Sequence, residues 1–345
     1  MKSSTSGKPH WQDRHRYVSE GRIVWYGEPG DEHYWYEYWE ARLTPGYYAA
    51  AETCHLTTDE LGKVLLGVMP QQGLHLEAGC GAGYWVAALR HYGLMIEGIE
   101  YADSLVDLVQ SVNPQLPIRQ GNALNVDRPD NHYDTYLSIG VVEHRLEGPE
   151  PFLSEAYRVL KPGGKIVVSV PYFGPVRTLK NRLSLYDRKR PGLPFFQYGF
   201  TREEFVNFLQ KAGFVIEEVR ALYAHRLLIE EIDFYRWALS KPGGHFIRKC
   251  AESVLQNRDG HMLLVVGRKP VDNPWTIDSK SVILYTNASD VQKAMMGKSR
   301  QVGKQQRERV TGCKPFCGTT GGSSPQSWLL STWQYYSRAW VDSPG

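Results

Sequence analysis

The sequence predicts an α/β fold: a doubly wound, mostly parallel seven-stranded sheet with helices on both faces and a helical insertion before the last strand. Three observations carry that expectation. Strand-like and helix-like segments alternate from Gly73 to Val266, and such alternation requires right-handed crossovers that lay helices over a parallel sheet. A cluster of glycines stands at the join between the first strand and the first helix of the series. The 345 residues are 42% apolar and 22% charged, which is enough to build a large core and unlike a disordered or collagen-like chain.

Taken in order, Thr57 with Glu60 three residues on forms a capping box that opens a helix before the first strand. Gly73–Ala78 reads as the first strand and Tyr84–Tyr92 as the helix after it. Met95–Glu100, Ser104–Ser111, Ile118–Gln120 and Tyr133–Ile139 then follow as strand, helix, strand, strand. Pro151–Leu160 is helical and Lys165–Val170 is a strand. A second capping box, Thr201 with Glu204, opens a helix that ends near Gly213. Phe214–Val219 and His261–Val266 are the last two strands.

Three stretches break the rhythm. Residues 1–55 are unusually aromatic, Pro171–Gly199 is a long basic connection, and 221–257 is a helical insertion. After Pro270 the pattern dissolves into Gly, Ser, Thr, Gln and Lys, apart from a local element at Ser281–Tyr285. The expected organisation is therefore an aromatic extension or lid (1–55), a core domain (56–270) with a lid at 171–199 and the insertion at 221–257, and a disordered tail (271–345).

Charge and cysteine content narrow the setting. The net charge is +3, and the tail alone carries nine Lys/Arg against five Asp/Glu. The body is close to neutral and lacks the basic balance of a nucleic-acid binder. No apolar run approaches the roughly 20 residues that cross a bilayer, and the N-terminal 16 residues have no apolar stretch. Five irregularly spaced cysteines form no disulfide framework, which suits a reduced, cytoplasmic protein. Cys313 and Cys317 have no histidine nearby to complete a zinc site, so no metal is expected.

The chemistry sits in Leu74-His-Leu-Glu77-Ala-Gly79-Cys-Gly81-Ala-Gly83. Glycines at a strand–helix join let a ligand approach the backbone, and the next helix offers its free amides. The dinucleotide pattern G-x-G-x-x-G fails because Tyr84 stands at its third glycine, and no Gly-Lys-Ser/Thr follows as in a phosphate loop. An acidic residue two before a G-x-G-x-G run suits a ligand bearing an ammonium and a carboxylate.

Together with the segments downstream, this loop resembles the class I S-adenosylmethionine-dependent methyltransferases, a Rossmann-like family. The likeness is an ordered set from Leu74 to Val266. Gly98-Ile-Glu100-Tyr101 matches the second-strand end and Gln120-Gly-Asn122-Ala123 the third-strand loop. Tyr133-Asp134, with Gly140-Val141-Val-Glu143-His144, matches the fourth-strand signature, and Leu160-Lys-Pro-Gly-Gly-Lys-Ile-Val-Val the turn into the fifth strand. Tyr198-Gly-Phe-Thr-Arg-Glu-Glu with Ala212-Gly213-Phe214 fits the approach to the sixth strand. Glu77 stands where Asp is more usual, and Asn122 replaces another Asp. The resemblance implies S-adenosyl-L-methionine as cofactor, held by Glu77, Gly79, Gly81, Gly83, Glu100, Tyr101, Asn122, Ala123, Gly140 and Val141. Glu100 is expected on the ribose hydroxyls and Asn122-Ala123 at the adenine.

On the acceptor side, His144 offers a general base for a hydroxyl acceptor, the alternative being a residue that only shapes the pocket. Trp35, Trp39, Glu143 and Tyr172 are the candidate acceptor contacts. The run Trp25–Trp39 either folds over the crevice or packs as a surface helix. The connection Pro171–Gly199, with Arg177, Lys180, Arg182, Arg188, Lys189 and Arg190, either receives an acidic acceptor, touches an anionic membrane surface, or is solvated charge. The expected partner is a small molecule, with no nucleic acid and no transmembrane segment. A cofactor-binding regulatory protein without activity, and a nicotinamide-dependent oxidoreductase, are the alternatives.

Overall fold

The computed structural model describes residues 15–54 and 56–271. The expectations for the tail, including Ser281–Tyr285 and the Cys313/Cys317 pair, lie outside the described residues.

The described residues begin with a hairpin, β1 (His15–Ser19) and β2 (Arg22–Tyr26), then two helices, α1 (Glu32–Glu40) and α2 (Tyr47–Glu52). Next come α3 (Glu60–Val68), β3 (Leu74–Ala78), α4 (Tyr84–His91), β4 (Met95–Glu100), α5 (Asp103–Val112) and β5 (Ile118–Gln120). β6 (Tyr133–Ile139) runs into a short 3-10 turn at Val142–His144, followed by α6 (Glu150–Val159) and β7 (Leu160–Pro171). The second irregular stretch contains α7 (Pro175–Arg182) and β8 (Phe195–Gly199). The chain continues with α8 (Arg202–Lys211), β9 (Val215–Leu222), α9 (Ala224–Glu231), α10 (Asp233–Leu239), α11 (Gly244–Leu255) and β10 (Met262–Arg268).

The main sheet has seven strands in the order β5-β4-β3-β6-β7-β10-β9. Strands β5, β4, β3, β6 and β7 are parallel, and β10 is antiparallel to both its neighbours. Period-two side-chain alternation divides the core between the faces. On one face Ile96, Leu137 and Val167 pack under α2, α3, α4 and α5; on the other Leu76, Tyr136, Ile166 and Val168 pack under α6 and α8. The order reverses between β3 and β6, and the carboxyl ends of those two strands flank the crevice where such sheets bind ligands.

Several elements differ from expectation. The cap of α3 is Asp59, whose carboxylate accepts the Gly62 amide at 2.8 Å, so the Thr57–Glu60 box does not form. Asp59 already holds the extended backbone that a cap requires, one residue before the helix. Thr201 does cap α8, accepting from the Glu204 amide at 3.2 Å. β9 extends to Leu222, so the helical insertion starts at Ala224 rather than 221. β1, β2 and β8 form a second, antiparallel sheet that the sequence reading did not foresee. It joins the hairpin near the N-terminus to the 171–199 connection, and Tyr47, Tyr48 and Ala51 of the expected extension lie in the main core. Asp59→Ala should cost about 1 kcal/mol of stability, by urea denaturation, while Thr57→Ala should change little.

Candidate active site

The glycine loop lies between β3 and α4. Its backbone doubles back over the sheet, with the Gly79 and Cys80 amides both reaching the carbonyl of Ile99 at the end of β4, at 2.9 and 3.0 Å. Gly81 and Gly83 are left-handed, at φ +52° and +74°. A Cβ on Gly83 would stand 2.1 Å from Ile118, and one on Gly81 would stand 2.5 Å from the Trp39 indole. No side chain fits at either position.

Two buried carboxylates frame the loop. Glu100, at the last position of β4, accepts from the Gly81 amide at 2.8 Å through Oε2. Through Oε1 it accepts from the Tyr101 and Ala102 amides at 2.8 and 3.1 Å. It therefore ties the loop to the start of α5, using three of the roughly four acceptor positions of a carboxylate and leaving one for a ligand hydroxyl. Glu77 on β3 is 3% exposed, and its Oε2 has no hydrogen-bond partner among the described residues. Burial, with a smaller push from Glu100, raises its carboxyl to about 8.

Across the crevice, Gly140 turns the chain at the end of β6 with φ +72°, and Val141 packs against Gly79. Glu143 is 2% exposed, has one oxygen without a partner among the described residues, and is pushed to about 8 by burial. His144 Nδ1 stands 2.9 Å from the carbonyl of Phe196 on β8. A carbonyl only accepts, so Nδ1 carries the proton and Nε2 holds the lone pair in the neutral ring. The second sheet thus fixes the tautomer of a crevice histidine.

α1 spans the mouth. Trp35 meets the His144 ring edge-on at 5.0 Å, Tyr34 and Phe196 pack beside it, and Trp39 covers Gly81. Trp35 also donates from Nε1 to the Gly30 carbonyl at 3.1 Å, which fixes the ring. Tyr34–Trp39 of the aromatic run therefore pack as a helix that lies over the crevice, while Trp25 and Tyr26 belong to β2.

The loop between Glu77 and Gly83, the acidic end of β4 and the turn after β6 coincide with a family match. Residues 76–168 match the model of the methyltransferase domain family. Over these residues the chain carries a match to the methyltransferase domain. It is 31% identical over 159 residues to a protein of Mycolicibacterium smegmatis described as a probable S-adenosylmethionine-dependent methyltransferase, covering 46% of this chain and 58% of that one. It is 29% identical over 105 residues to the demethylmenaquinone methyltransferase of Bacillus licheniformis, 29% of this chain and 45% of that one. The chain thus spans about half the length of these curated relatives. Among solved structures, an S-adenosylmethionine-dependent methyltransferase from Mesorhizobium loti aligns at a TM-score of 0.42 with 17% identity, covering 62% of this chain and 100% of that one.

Within the methyltransferase domain, Glu77, Gly79, Gly81, Gly83, Glu100, Gly140 and Val141 converge on the two sides of the switch point. Asn122 closes its own turn, accepting the Leu124 amide at 2.8 Å, with Ala123 buried beside it, while the Tyr101 side chain is exposed. Of the acceptor candidates, Trp35 lies at His144 and Trp39 at the glycine loop, so the two rings mark opposite ends of the crevice. Tyr172 packs with Val142 and Phe200 in the core on the α6–α8 face. Phe196 was missed; only its place in a strand pairing with β2 brings it to His144, and no motif signals that.

Proposed function

We propose that this protein transfers the methyl group of S-adenosylmethionine to a small-molecule acceptor held beneath α1. The observation that carries the reading is the glycine loop bound by Glu100, with one unpartnered carboxyl oxygen of Glu77, Oε2, beneath it. That donor set fits the cofactor: positive-φ glycines admit it, Glu100 keeps an acceptor position for a ribose hydroxyl, and Glu77 offers a buried oxygen to a cationic group. When bound, the cofactor supplies an electrophilic methyl on a sulfonium, so the protein's share is positioning, shielding and proton handling.

Each share has its residues. Glu77 and Glu100 would hold the two polar ends, and Asn122 with Ala123 would border the base. α1 excludes water above the crevice through Trp35 and Trp39, and opening or closing it would gate entry. His144, with Nδ1 fixed by Phe196, presents Nε2 to take a proton from the acceptor. Glu143, protonated below pH 8, would donate to or exchange a proton with the acceptor from behind the same turn. A relative named for demethylmenaquinone as its acceptor supports a small-molecule substrate.

Turnover with isotopically labelled donor against a metabolite panel tests the reading. Binding of S-adenosylmethionine without any turnover would favour a non-catalytic cofactor-binding protein, and preference for NAD(P) would favour an oxidoreductase. His144→Ala should lower turnover roughly 100-fold with cofactor affinity unchanged. If His144 only shapes the pocket, the acceptor's apparent affinity falls and turnover is kept.

Cofactor binding should also be pH-dependent. Glu77 is neutral below about 8 in the free site, and a cationic ligand favours its charged form. Binding at pH 7 should therefore release a proton, and affinity should rise with pH up to about 8. Calorimetry in buffers of different ionisation enthalpy reads this directly, and Glu77→Gln should abolish the proton release.

A further inference from the structure

Most of the large apolar side chains exposed among the described residues fall in two stretches, Leu179–Leu193 and Phe234–Val254. α11 is the clearest case. Only Gly244 of its 12 residues is buried, although Ile247, Ala251 and Val254 recur at helical spacing and Phe246 flanks them. A helix this short is marginal without an apolar surface to pack on. Beside it on α10, Phe234 and Trp237 stand 71% and 55% exposed, their rings 5.3 Å apart, with Lys241 5.1 Å over the indole.

The two stretches meet at one corner. Lys180 of α7 donates to the Glu231 carbonyl at 2.9 Å, and Glu231 ends α9 two residues before α10. Leu179, next to Lys180 on α7, and Leu183 at the helix exit are both exposed. Arg16 binds Glu231 through its side chain and the Asp187 amide through its carbonyl, which brings Arg188 and Lys189 to the same corner.

The charge on this corner is one-sided. Asp233 pairs with Arg236, Glu252 with Arg248 and Asp187 with His15. Arg182, Arg188, Lys189, Lys241 and Lys249 are exposed and have no ion-pair partner among the described residues. Large exposed aromatics rimmed by unpaired cations are the composition of a surface that enters the headgroup layer of an anionic bilayer. No helix among the described residues is long and apolar enough to cross a membrane.

We propose that the α7–α10–α11 corner docks this protein onto anionic phospholipid, with Phe234, Trp237 and Phe246 entering the headgroup boundary and the cations meeting lipid phosphates. The test is co-sedimentation of the full chain with phosphatidylglycerol/phosphatidylcholine vesicles and with pure phosphatidylcholine vesicles. The protein should pellet with the anionic vesicles only, and less as salt rises. Phe234→Ser/Phe246→Ser should reduce the bound fraction at least roughly tenfold, and Lys241→Ser/Lys249→Ser should flatten the salt dependence. These side chains are exposed, so an unchanged melting temperature will verify that the variants fold. Absence of wild-type binding to the anionic vesicles overturns the proposal. So does binding that survives in Phe234→Ser/Phe246→Ser, because another segment of the chain would then be responsible. Light scattering that reveals a dimer lost in the same variant would make the corner an interface between copies and overturns it as well.

Discussion

Arg177→Ala is expected to destabilise the protein by about 3–5 kcal/mol, the cost of removing the fully buried member of an ion-pair cluster. Arg177 is fully buried. Its guanidinium donates to Glu231 at 2.9 Å, to Glu230 at 3.3 Å, and to the carbonyls of Tyr172 and His261 at 2.7 and 3.1 Å. One side chain therefore ties together the end of β7, α7, the end of α9 and the start of β10. Arg16, Lys180 and the Tyr186 hydroxyl complete the shell around Glu231, at 2.6, 2.8 and 3.1 Å. Differential scanning calorimetry should show a melting temperature lower by roughly 10 °C for a body of this size. Arg177→Met/Glu231→Leu should recover part of the loss, because it removes both charges.

The same cluster sets an acid limit. Burial alone would raise the Glu231 carboxyl, but Arg177, Arg16 and Lys180 outweigh it and hold it at about 2. Its folded value lies below the unfolded one, so its contribution is complete above about pH 4.5 and is lost as pH falls toward 2. Wild-type stability should decline through that window, and Arg177→Ala should show a shallower decline from a lower starting point.

Gly81→Val is expected to abolish S-adenosylmethionine binding, with calorimetry finding affinity lower by at least about 100-fold. Two causes act at once. The residue is left-handed, where a β-branched side chain is strained, and its Cβ would stand 2.5 Å from the Trp39 ring. Adding Trp39→Ala removes the second cause and keeps the first. If the pair binds normally, the clash with α1 rather than the loop backbone was limiting. Glu100→Gln provides a milder comparison, weakening binding by about 1–3 kcal/mol, because an amide cannot accept from all three backbone amides that Glu100 now receives.

Much of the main sheet was legible from local pattern. Met95–Glu100, Ile118–Gln120 and Tyr133–Ile139 appear as strands at the residues expected, because each is a short run set between turn and helical segments in the β-α alternation. The Gly79–Gly83 loop was legible for a related reason: positive φ at Gly81 and Gly83 is a backbone requirement that glycine meets and the sequence records. The cap of α3 was misread because Thr57 and Asp59 are both competent caps two residues apart, and only the path of the chain chooses between them.

The β-α order, the glycine loop, the acidic ends at Glu77 and Glu100, and the turn bearing Glu143 and His144 are all written in local pattern. These follow from short-range periodicity and from residues whose backbone or charge has few alternative uses. Tertiary structure decided the rest. Pairing of β2 with β8 joins residues as far apart in the chain as Ile23 and Gly199, and that pairing puts Phe196 on His144 and α1 over the crevice. Basic residues of the 171–199 connection, read as facing solvent, an acidic acceptor or a membrane, divide instead by location. Arg177 and Lys180 turn inward onto Glu231, while Arg182, Arg188 and Lys189 remain outside. Whether a cation is buried depends on a carboxylate from a distant helix, and long-range pairing of that kind leaves no periodicity in the chain for a sequence to show.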